Sequence, residues 1–241
     1  MNKKLVIILL LLVSMSSLLF QFSLKNNENY ISYIVNPKKQ NVALYWKNEK
    51  EVNFGSLQNL KLWLNKNSKE LLFATNGGMY KKDHSPQGLY IENNNIKTVI
   101  DTTSGNGNFY MKPNGIFFLT TSNVANVCKT KDFKVNSKVK FATQSGPMLL
   151  IDGEIHKSFN INSTNLNIRN GVGILPNNEI IFAMSKKEIN FYEFATYFKN
   201  RGCCNALYLD GFVSRTYCPK ENNSQLDGDF GVIIGITKDK Q

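Results

Sequence analysis

An aspartate at the end of a short apolar segment has the clearest chemical potential of any residue in this sequence. Asn205 to Leu209 have the composition of a strand, and Asp210 and Gly211 end it. A carboxylate at a strand end stays accessible. Beside apolar Leu209 and Phe212 it could act as a nucleophile, a base or a stabiliser of an oxocarbenium ion. An Asp-Gly pair on its own is usually only a turn, so both interpretations stay open.

Two other turns rich in small residues also follow apolar segments. One covers residues 76–80 (Asn-Gly-Gly-Met-Tyr) after Leu71 to Thr75, and the other covers residues 144–148 (Gln-Ser-Gly-Pro-Met) after Phe141 to Thr143. Glycine and Ser-Gly pairs let consecutive backbone N–H groups converge on an anionic oxygen. Each turn is therefore a candidate anion site, although a purely structural turn of this composition is the commoner case.

Arg169 brings a charge into a segment, residues 169–173 (Arg-Asn-Gly-Val-Gly), that is otherwise apolar and rich in glycine. Its planar guanidinium suits bidentate contact with a phosphate or a carboxylate. The side chain could therefore grip a phosphodiester or orient an acid in the site. A structural salt bridge is the alternative.

Several other chemistries lack the residues that they need. Only His84 and His156 are present, and the sequence has no His-x-x-x-His motif, no Cys/His cluster and no Gly-x-Ser-x-Gly turn. The glycine-rich segment 104–108 opens no predicted helix, unlike the loops that bind phosphate or dinucleotides. These absences argue against a histidine-ligated metal and against a serine-histidine-carboxylate triad.

The spacing of the four cysteines fits no common zinc pattern. They are Cys128, Cys203, Cys204 and Cys218. The sequence therefore predicts neither a metal site nor a cofactor. Outside the cytosol, a disulfide between Cys218 and one of the vicinal pair is as plausible as buried free thiols.

The formal net charge of +11 comes mostly from lysines that are scattered along the chain. A protein that binds nucleic acid would gather its basic residues into a stripe with interleaved aromatics, so we expect no nucleic-acid partner. A diffuse positive field can still attract anionic ligands, such as sugar phosphates or an acidic cell surface.

The first 24 residues have the layout of an export signal. Two lysines precede an unbroken apolar run from Leu5 to Val13. Serines after this run could form a cleavage site, whereas an uncleaved segment from Leu5 to Leu24 would reach the length of a membrane helix. We expect a periplasmic, secreted or membrane-tethered protein, with membrane contact through this segment alone. One folded domain is expected over residues 30–241.

Turn residues divide the rest of the chain into short apolar strands. Four hairpins are predicted, with turns at Asn93 to Asn95, Pro113 to Gly115, Asp152-Gly153 and Pro176 to Glu179. The predicted fold is α+β, a mixed and largely antiparallel sheet built from hairpins, with a few packed helices in a single domain.

Two segments have helical periodicity instead of alternation. Ser56 is the expected N-cap of the first helix. Asn190 is the expected N-cap of the second, with Glu193 as its capping-box partner and Gly202 at its end. The second helix therefore leads directly into the strand that Asp210 ends.

The four segments 76–80, 144–148, 169–173 and 205–211 together resemble the phosphodiester glycosidase family, which includes the lysosomal uncovering enzyme. The resemblance covers roughly residues 70 to 236 and is strongest to small bacterial single-domain members. A helix and a Gly-Cys pair directly before the last segment add to it.

This resemblance implies a domain that removes a sugar joined through its anomeric carbon to a phosphodiester. The expected substrate is a sugar phosphodiester or a phosphoglycan, and the expected catalytic residues are Asp210 and Arg169. The expected substrate-binding residues are Asn76, Gly77, Gly78, Gln144, Ser145, Gly146, Asn205, Gly211 and Ser214.

The sequence departs from the family pattern at residues 212–215 (Phe-Val-Ser-Arg), where many members continue with glycines and serines. The departure leaves open whether Ser214 occupies the usual serine position. Two other functions also stay open. One is a non-catalytic binder of anionic cell-surface glycans. The other is a phosphodiesterase, which would usually need metal-binding clusters of which the sequence offers few.

Overall fold

The computed structural model describes residues 29–210 and 213–240, which form three β-sheets and two α-helices. The first sheet runs in the order β1 (Tyr30–Val35), β12 (Ile180–Ser185), β11 (Asn170–Ile174), β13 (Asn205–Tyr208), β9 (Met148–Ile151) and β10 (Glu154–Ile155). The second runs β15 (Asn223–Ser224), β14 (Thr216–Cys218), β3 (Lys69–Asn76), β16 (Ile233–Asp239) and β2 (Asn41–Tyr45). The third runs β5 (Asn95–Thr98), β4 (Tyr90–Glu92), β8 (Val139–Ser145), β6 (Gly115–Thr120) and β7 (Ala125–Lys129).

The helices cover different parts of these sheets. Helix α1 (Leu57–Lys66) contributes its buried leucines to the main core, which it shares with β3 and β16. Helix α2 (Phe191–Asn200) packs on one face of the first sheet. The two α-helices leave the described chain mostly β, so the α+β prediction is met only in part.

Strand β12 shows why the first sheet is buried on both faces. Ile180 and Phe182 belong to the main core, whereas Ile181 and Ala183 belong to the cluster under α2. Because successive side chains of a strand point to opposite faces, this apolar run covers both. The first sheet is thus a central layer, with the main core on one face and the cluster under α2 on the other.

Both predicted helix starts are confirmed. The Ser56 hydroxyl accepts a hydrogen bond from the Asn59 amide at 3.2 Å, and the Asn190 side chain accepts one from the Glu193 amide at 2.9 Å. Each bond satisfies a backbone donor that has no partner within the helix. Gly202, with φ of 78°, follows the end of α2 as predicted.

Three of the four predicted hairpins are confirmed, namely β4–β5, β9–β10 and β11–β12. The hairpin predicted around Pro113 to Gly115 is wrong. Residues Asn108–Tyr110 form a 3-10 helix, and the Asn114 side chain donates to the Phe109 carbonyl at 3.0 Å, which closes the segment into a compact loop. Strand β6 pairs with β7 and β8 instead.

The prediction of a mixed sheet also needs correction. All the strand pairs found within residues 29–210 and 213–240 are antiparallel. Helix α2 leads from β12 to β13 across β11, which pairs with both, so β13 enters the sheet antiparallel to β11. The connection joins two strands that are not neighbours, and sequence periodicity cannot show this.

The four cysteines are free thiols. Cys203 is buried in the cluster under α2, whereas Cys218 is buried in the main core. The disulfide considered from the sequence is therefore not formed.

In the described part of the chain, no helix is both long enough and apolar enough to cross a membrane. The predicted export signal or anchor at residues 1–24 lies outside that part.

His156 ties two distant loops together as a neutral imidazole. Its Nδ1 accepts a hydrogen bond from the Ser158 amide at 3.1 Å, and its Nε2 lies 3.0 Å from the Lys112 carbonyl, which requires Nε2 to carry the proton. Burial lowers the pKa of His156, and the bond to the Lys112 carbonyl opposes this shift. Protonation of Nδ1 would remove the bond to Ser158.

We expect His156 to make stability depend on pH. Well above pH 6.5 the imidazole is neutral in both the folded and the unfolded protein. Below about pH 6.5 the unfolded chain binds a proton at His156, whereas the folded protein, with its lowered pKa, binds it only at lower pH. The free energy of unfolding should therefore fall as pH drops from 7.5 to 5.5, by at most about 1.4 kcal/mol per pH unit from this group. Urea unfolding of His156→Gln should show a shallower fall, and equal slopes for the two proteins would contradict this account.

Candidate active site at the end of strand β13

The candidate site is centred on the residues that follow β13. This strand lies between β11 and β9, and its last residues are held on both sides. The Tyr208 amide donates to the Pro147 carbonyl, and the Leu209 amide donates to the Asn170 carbonyl, both at 3.1 Å. Asp210 follows directly. Two of the four candidate segments, 144–148 and 169–173, therefore border the segment that carries Asp210.

A buried asparagine, Asn170, fixes the backbone at this point. Its Nδ2 lies 3.0 Å from the Thr75 hydroxyl and 2.9 Å from the Asn76 carbonyl. Its Oδ1 accepts from the Asp210 amide at 3.1 Å and lies 3.4 Å from the Ser214 hydroxyl. One side chain thus joins three of the four segments, and it is almost fully buried. Because both the nitrogen and the oxygen of its side-chain amide are hydrogen-bonded, Asn170 fixes the position of the Asp210 main chain.

Asn76 and Ser145 complete the support. The Asn76 Nδ2 donates to the Asp210 carbonyl at 2.7 Å, and its Oδ1 accepts from the Arg215 amide at 3.0 Å. The Ser145 hydroxyl donates to the Leu209 carbonyl at 2.8 Å. We expected Asn76 and Ser145 to contact the substrate. In the structure both side chains are buried and bind the protein's own backbone, so they position the Asp210 segment.

Gln144 holds a different segment in the same manner. Its Oε1 accepts from the amides of Leu89 and Asp101, each at 2.9 Å, and its Nε2 donates to the Asp101 carbonyl at 2.6 Å. The side chain is fully buried. We expected Gln144 to bind substrate, and the structure places its side chain wholly inside the protein. It ties the chain on either side of the β4–β5 hairpin to the end of β8.

The glycines after β3 serve close packing. The Gly77 amide donates to the Val232 carbonyl at 2.7 Å, so it is not open to an anion as we had expected. At Gly78, a Cβ atom would lie 2.4 Å from both the Gln144 carbonyl oxygen and the Thr143 hydroxyl oxygen. The ends of β3 and β8 approach so closely that only glycine fits.

This contact predicts the effect of a side chain at Gly78. Gly78→Ala should lower the free energy of unfolding by about 3 kcal/mol or more, because a backbone oxygen must move. Gly55→Ala is the control, since Gly55 has φ of 67° and open space around its Cβ position. The control should cost only the backbone strain, about 1–2 kcal/mol. Equal thermal midpoints for the two variants would contradict the predicted clash.

Three further expected site residues have distinct placements. A Cβ at Gly146 would lie 2.6 Å from the Asn114 side chain, so this glycine also serves close packing. The Ser214 hydroxyl is buried 3.4 Å from the Asp210 carbonyl oxygen. Gly211 lies outside the described residues.

Asn205, which we expected to bind substrate, is placed apart from Asp210, because Asn205 begins β13 whereas Asp210 follows the end of that strand. Its side chain accepts from the Asp152 amide at 3.0 Å, in the turn of the β9–β10 hairpin. Five residues of strand separate the two positions by about 16 Å.

The Arg169 side chain is fully buried against Phe191, the first residue of α2. Its Nε donates to the Ile189 carbonyl and its Nη2 to the Asn165 carbonyl, both at 2.8 Å. The guanidinium carbon lies 3.7 Å from the centre of the Phe191 ring and 5.4 Å from that of Tyr208. Burial lowers the pKa of Arg169, and Tyr208 opposes the shift. Because the side chain has no exposed surface, the expected bidentate grip on a phosphate is not available in this arrangement.

The charge of Arg169 is nevertheless close to the strand end. Strands β11 and β13 pair with Gly171 opposite Tyr208, so the next residues on the same face are Arg169 and Asp210. The Nη1 atom of Arg169 is buried and makes no hydrogen bond of regular geometry, although Tyr208 lies against the guanidinium. The salt bridges found within residues 29–210 and 213–240 include none to Arg169. A buried positive charge thus lies against Tyr208, the last residue of β13.

Tyr80 provides a hydroxyl near the Asp210 carboxylate. This hydroxyl donates to the Asp229 carbonyl at 2.5 Å, and the Tyr80 ring stacks on His84 with centroids 5.4 Å apart. The His84 Nε2 lies 2.8 Å from the Asp229 carboxylate. Burial raises the pKa of Tyr80 to about 12, and the negative charges of Asp210 and Asp229 add to the rise. At neutral pH this hydroxyl stays protonated and can act only as a hydrogen-bonding group.

In the described part of the chain, no three His, Cys, Asp or Glu residues are grouped closely enough to hold a metal ion.

Comparison with known proteins decides the family. The family model of the phosphodiester glycosidases matches residues 69–237, which include all four segments that meet at the end of β13. The chain belongs to the phosphodiester glycosidase family. A relative from Escherichia coli (strain K12), the uncharacterized protein YigE, is 37% identical over 187 residues, which are 77% of this chain and 73% of that protein.

Solved structures share the fold of this phosphodiester glycosidase domain at low identity. The catalytic domain of zebrafish N-acetylglucosamine-1-phosphodiester alpha-N-acetylglucosaminidase, auto-inhibited by its pro-peptide, has a TM-score of 0.59 at 14% identity. The match covers 86% of this chain and 83% of that one. A hypothetical protein from Synechocystis has a TM-score of 0.55 at 13% identity, over 86% of this chain and 59% of that one.

Sequence reasoning missed four residues of the candidate site. Asn170 and Tyr80 lie inside the segments that carried the family resemblance, and this position was the only sequence signal that could have identified them. His84 and Asp229 lie outside those segments and are 145 residues apart, and no local pattern joins them.

Proposed function

We propose that this protein hydrolyses the bond between the anomeric carbon of a sugar and an oxygen of a phosphodiester. The observation that carries the proposal is the convergence of the four segments on the end of β13, where the main chain of Asp210 is held by Asn170 and Asn76. A residue whose main chain is fixed in this way suits a reaction that needs a group placed accurately against a reacting carbon. Membership of the phosphodiester glycosidase family supports the proposed substrate class.

Asp210 is the group proposed to act at the anomeric carbon. Its carboxylate either attacks that carbon or stabilises the positive charge that develops there as the bond to the phosphodiester oxygen breaks. Water then supplies the hydroxyl of the free sugar, and its remaining proton goes to solvent. The leaving group is a phosphomonoester, which is a stable anion, so the reaction depends less on a strong general acid than the hydrolysis of an ordinary glycoside.

Arg169 and Tyr80 are proposed to set the electrostatics around Asp210. The buried guanidinium provides a positive charge against Tyr208 at the strand end, which favours the approach of an anionic substrate without direct contact. The Tyr80 hydroxyl stays neutral, so it adds polarity without adding charge. The substrate phosphate would then be bound by groups at the mouth of the site.

Export is part of the proposal and is supported by residues 1–24 alone, with their basic start and apolar run. Cell fractionation of the full chain, beside a chain that lacks these residues, tests it. Recovery of the full chain in the cytosol would overturn this part without affecting the proposed reaction.

The identity of the broken bond tests the proposed reaction. The full-length protein is incubated with sugar-1-phosphodiesters, including alpha-N-acetylglucosamine-phosphate esters, and the products are separated. We expect free sugar and a phosphomonoester. A sugar phosphate as product would show cleavage between phosphorus and oxygen, which is the activity of a phosphodiesterase. Binding of the panel without any cleavage would favour a non-catalytic glycan binder.

A further inference from the structure

A cavity whose lining does not include Asp210 lies between the edge strand β2 and the third sheet. Its volume is about 450 Å³, within the range of sites that bind small molecules. It is lined by residues of β2, by the segment that follows it, and by side chains from α1, β4, β5 and β8. We call it the tryptophan cavity, because Trp46 and Trp63, the two tryptophans of the chain, both line it.

Aromatic side chains form one wall of the tryptophan cavity. The rings of Tyr45 and Trp63 meet edge to face with centroids 6.2 Å apart, and Trp46 meets the buried ring of Tyr90 at 6.0 Å. Trp46 and Trp63 are only partly buried, although tryptophan is the largest apolar side chain that folding could cover. The wall therefore presents aromatic surface to whatever enters the cavity.

Polar side chains of both signs form the rest of the wall. Glu92 is half-buried, and its carboxylate accepts a hydrogen bond from the Tyr90 hydroxyl at 2.7 Å. The Glu49 carboxylate accepts from the Trp63 indole at 2.7 Å, which fixes the plane of that ring. Four lysines and three glutamates line the cavity, and the balance is one positive charge. They are Lys47, Lys69, Lys97, Lys140, Glu49, Glu51 and Glu92.

This charge pattern disfavours an ionic ligand of either sign. A quaternary ammonium group would be repelled by the four lysines that line the cavity, and Lys47 Nζ already lies 4.4 Å from the centre of the Trp46 ring. A multiply charged anion would meet three carboxylates. The pattern instead suits a neutral polyol, which needs both donors and acceptors around it.

We propose that the tryptophan cavity is a saccharide-binding site for a neutral pyranose unit. The C–H face of a pyranose ring carries slight positive charge and complements the negative face of an aromatic ring such as Trp63. Its hydroxyls can donate to Glu92 and accept from Lys97 or Lys140. The site is separate from the reacting carbon, and the inference does not depend on the proposed hydrolysis.

The tryptophan cavity is nevertheless joined to the candidate active site. The Trp46 indole donates to the His84 carbonyl at 3.0 Å, and His84 stacks on Tyr80, whose hydroxyl feels the charge of Asp210. One hydrogen bond and one ring contact thus connect the cavity wall to Tyr80.

Intrinsic fluorescence of the full-length protein tests this site directly, because both tryptophans report from the cavity. The probes are three neutral disaccharides, N,N′-diacetylchitobiose, cellobiose and maltose, beside choline and inorganic phosphate. We expect a saturable fluorescence change with at least one disaccharide and none with choline or phosphate. The same titration of Asp210→Asn should give an unchanged Kd, which separates this site from the proposed reaction.

Variants assign the signal to the cavity. Trp63→Ala should weaken disaccharide binding by about tenfold or more, with Trp46 still reporting. Tyr192→Ala removes a half-buried aromatic ring of α2 outside the cavity and should bind as the parent does. If Trp63→Ala does not fold, Glu92→Gln combined with Lys97→Ala decides by calorimetry, with the same expected loss. The absence of any saturable disaccharide response, or a response unchanged in the cavity variants, would overturn the proposal.

Discussion

Asp210→Asn is expected to lower kcat/KM for a sugar-1-phosphodiester by about 10²- to 10⁴-fold. Asparagine keeps the size of the side chain but can neither attack the anomeric carbon nor balance the charge of an oxocarbenium ion. The main chain at this position is held by Asn170 through the amide and by Asn76 through the carbonyl. Neither bond involves the carboxylate, so the variant keeps both bonds and should fold, and its thermal midpoint is measured beside its activity.

A matched substitution controls for the loss of one carboxylate. Asp152 lies in the β9–β10 turn with φ of 52°, a conformation that asparagine tolerates well, and its side chain is 83% exposed. Asp152→Asn should keep full activity. Parental kcat/KM in Asp210→Asn, measured on folded protein, would remove Asp210 from the proposed mechanism.

Sequence patterns predicted local structure well in this chain because the relevant interactions are local. The Asn190 cap and the Asp152-Gly153 turn each depend on residues within a few positions of one another. The strand that precedes Asp210 was predicted for the same reason. The hairpin around Pro113 failed because the Asn114 side chain closes its own loop, which competes with strand pairing.

The roles of individual site residues were harder to predict because they depend on long-range pairing. Asn76 reaches Asp210 across 134 positions, and Gln144 reaches Asp101 across 43. Polar side chains next to glycines suggested ligand contacts, yet a buried amide must find partners, and here the nearest are backbone groups of the other segments. The segments were thus recognisable from sequence. The sequence could not show which of their side chains bind the protein's own backbone and which is placed to react.

This division has a physical logic. Strands β3, β8 and β13 end close to one another. Backbone groups beyond these strand ends need hydrogen-bond partners other than those of a regular sheet. Asn76, Ser145 and Asn170 supply those partners from inside the protein. Because the support is buried and fully bonded, the Asp210 segment is positioned by the fold and not by the ligand.

Asn170→Ala is therefore expected to have the largest combined effect on stability and activity. It leaves the Asp210 amide and the Asn76 carbonyl buried without the bonds that Asn170 provides. We expect the free energy of unfolding to fall by about 2–5 kcal/mol, since each buried group left without its partner costs about 1–3 kcal/mol. Urea unfolding measures this loss. Asn200→Ala, at an exposed position at the end of α2, is the control and should change little.

Turnover distinguishes a positioning role for Asn170 from a purely structural one. Measured well below the thermal midpoint and per folded molecule, kcat of Asn170→Ala should fall by about 10²-fold, because a displacement of about 1 Å at a reacting group can cost that much. KM should change far less, since Asn170 is buried and does not contact substrate. A variant that loses stability but keeps the parental kcat would show that Asn170 stabilises the fold without positioning Asp210.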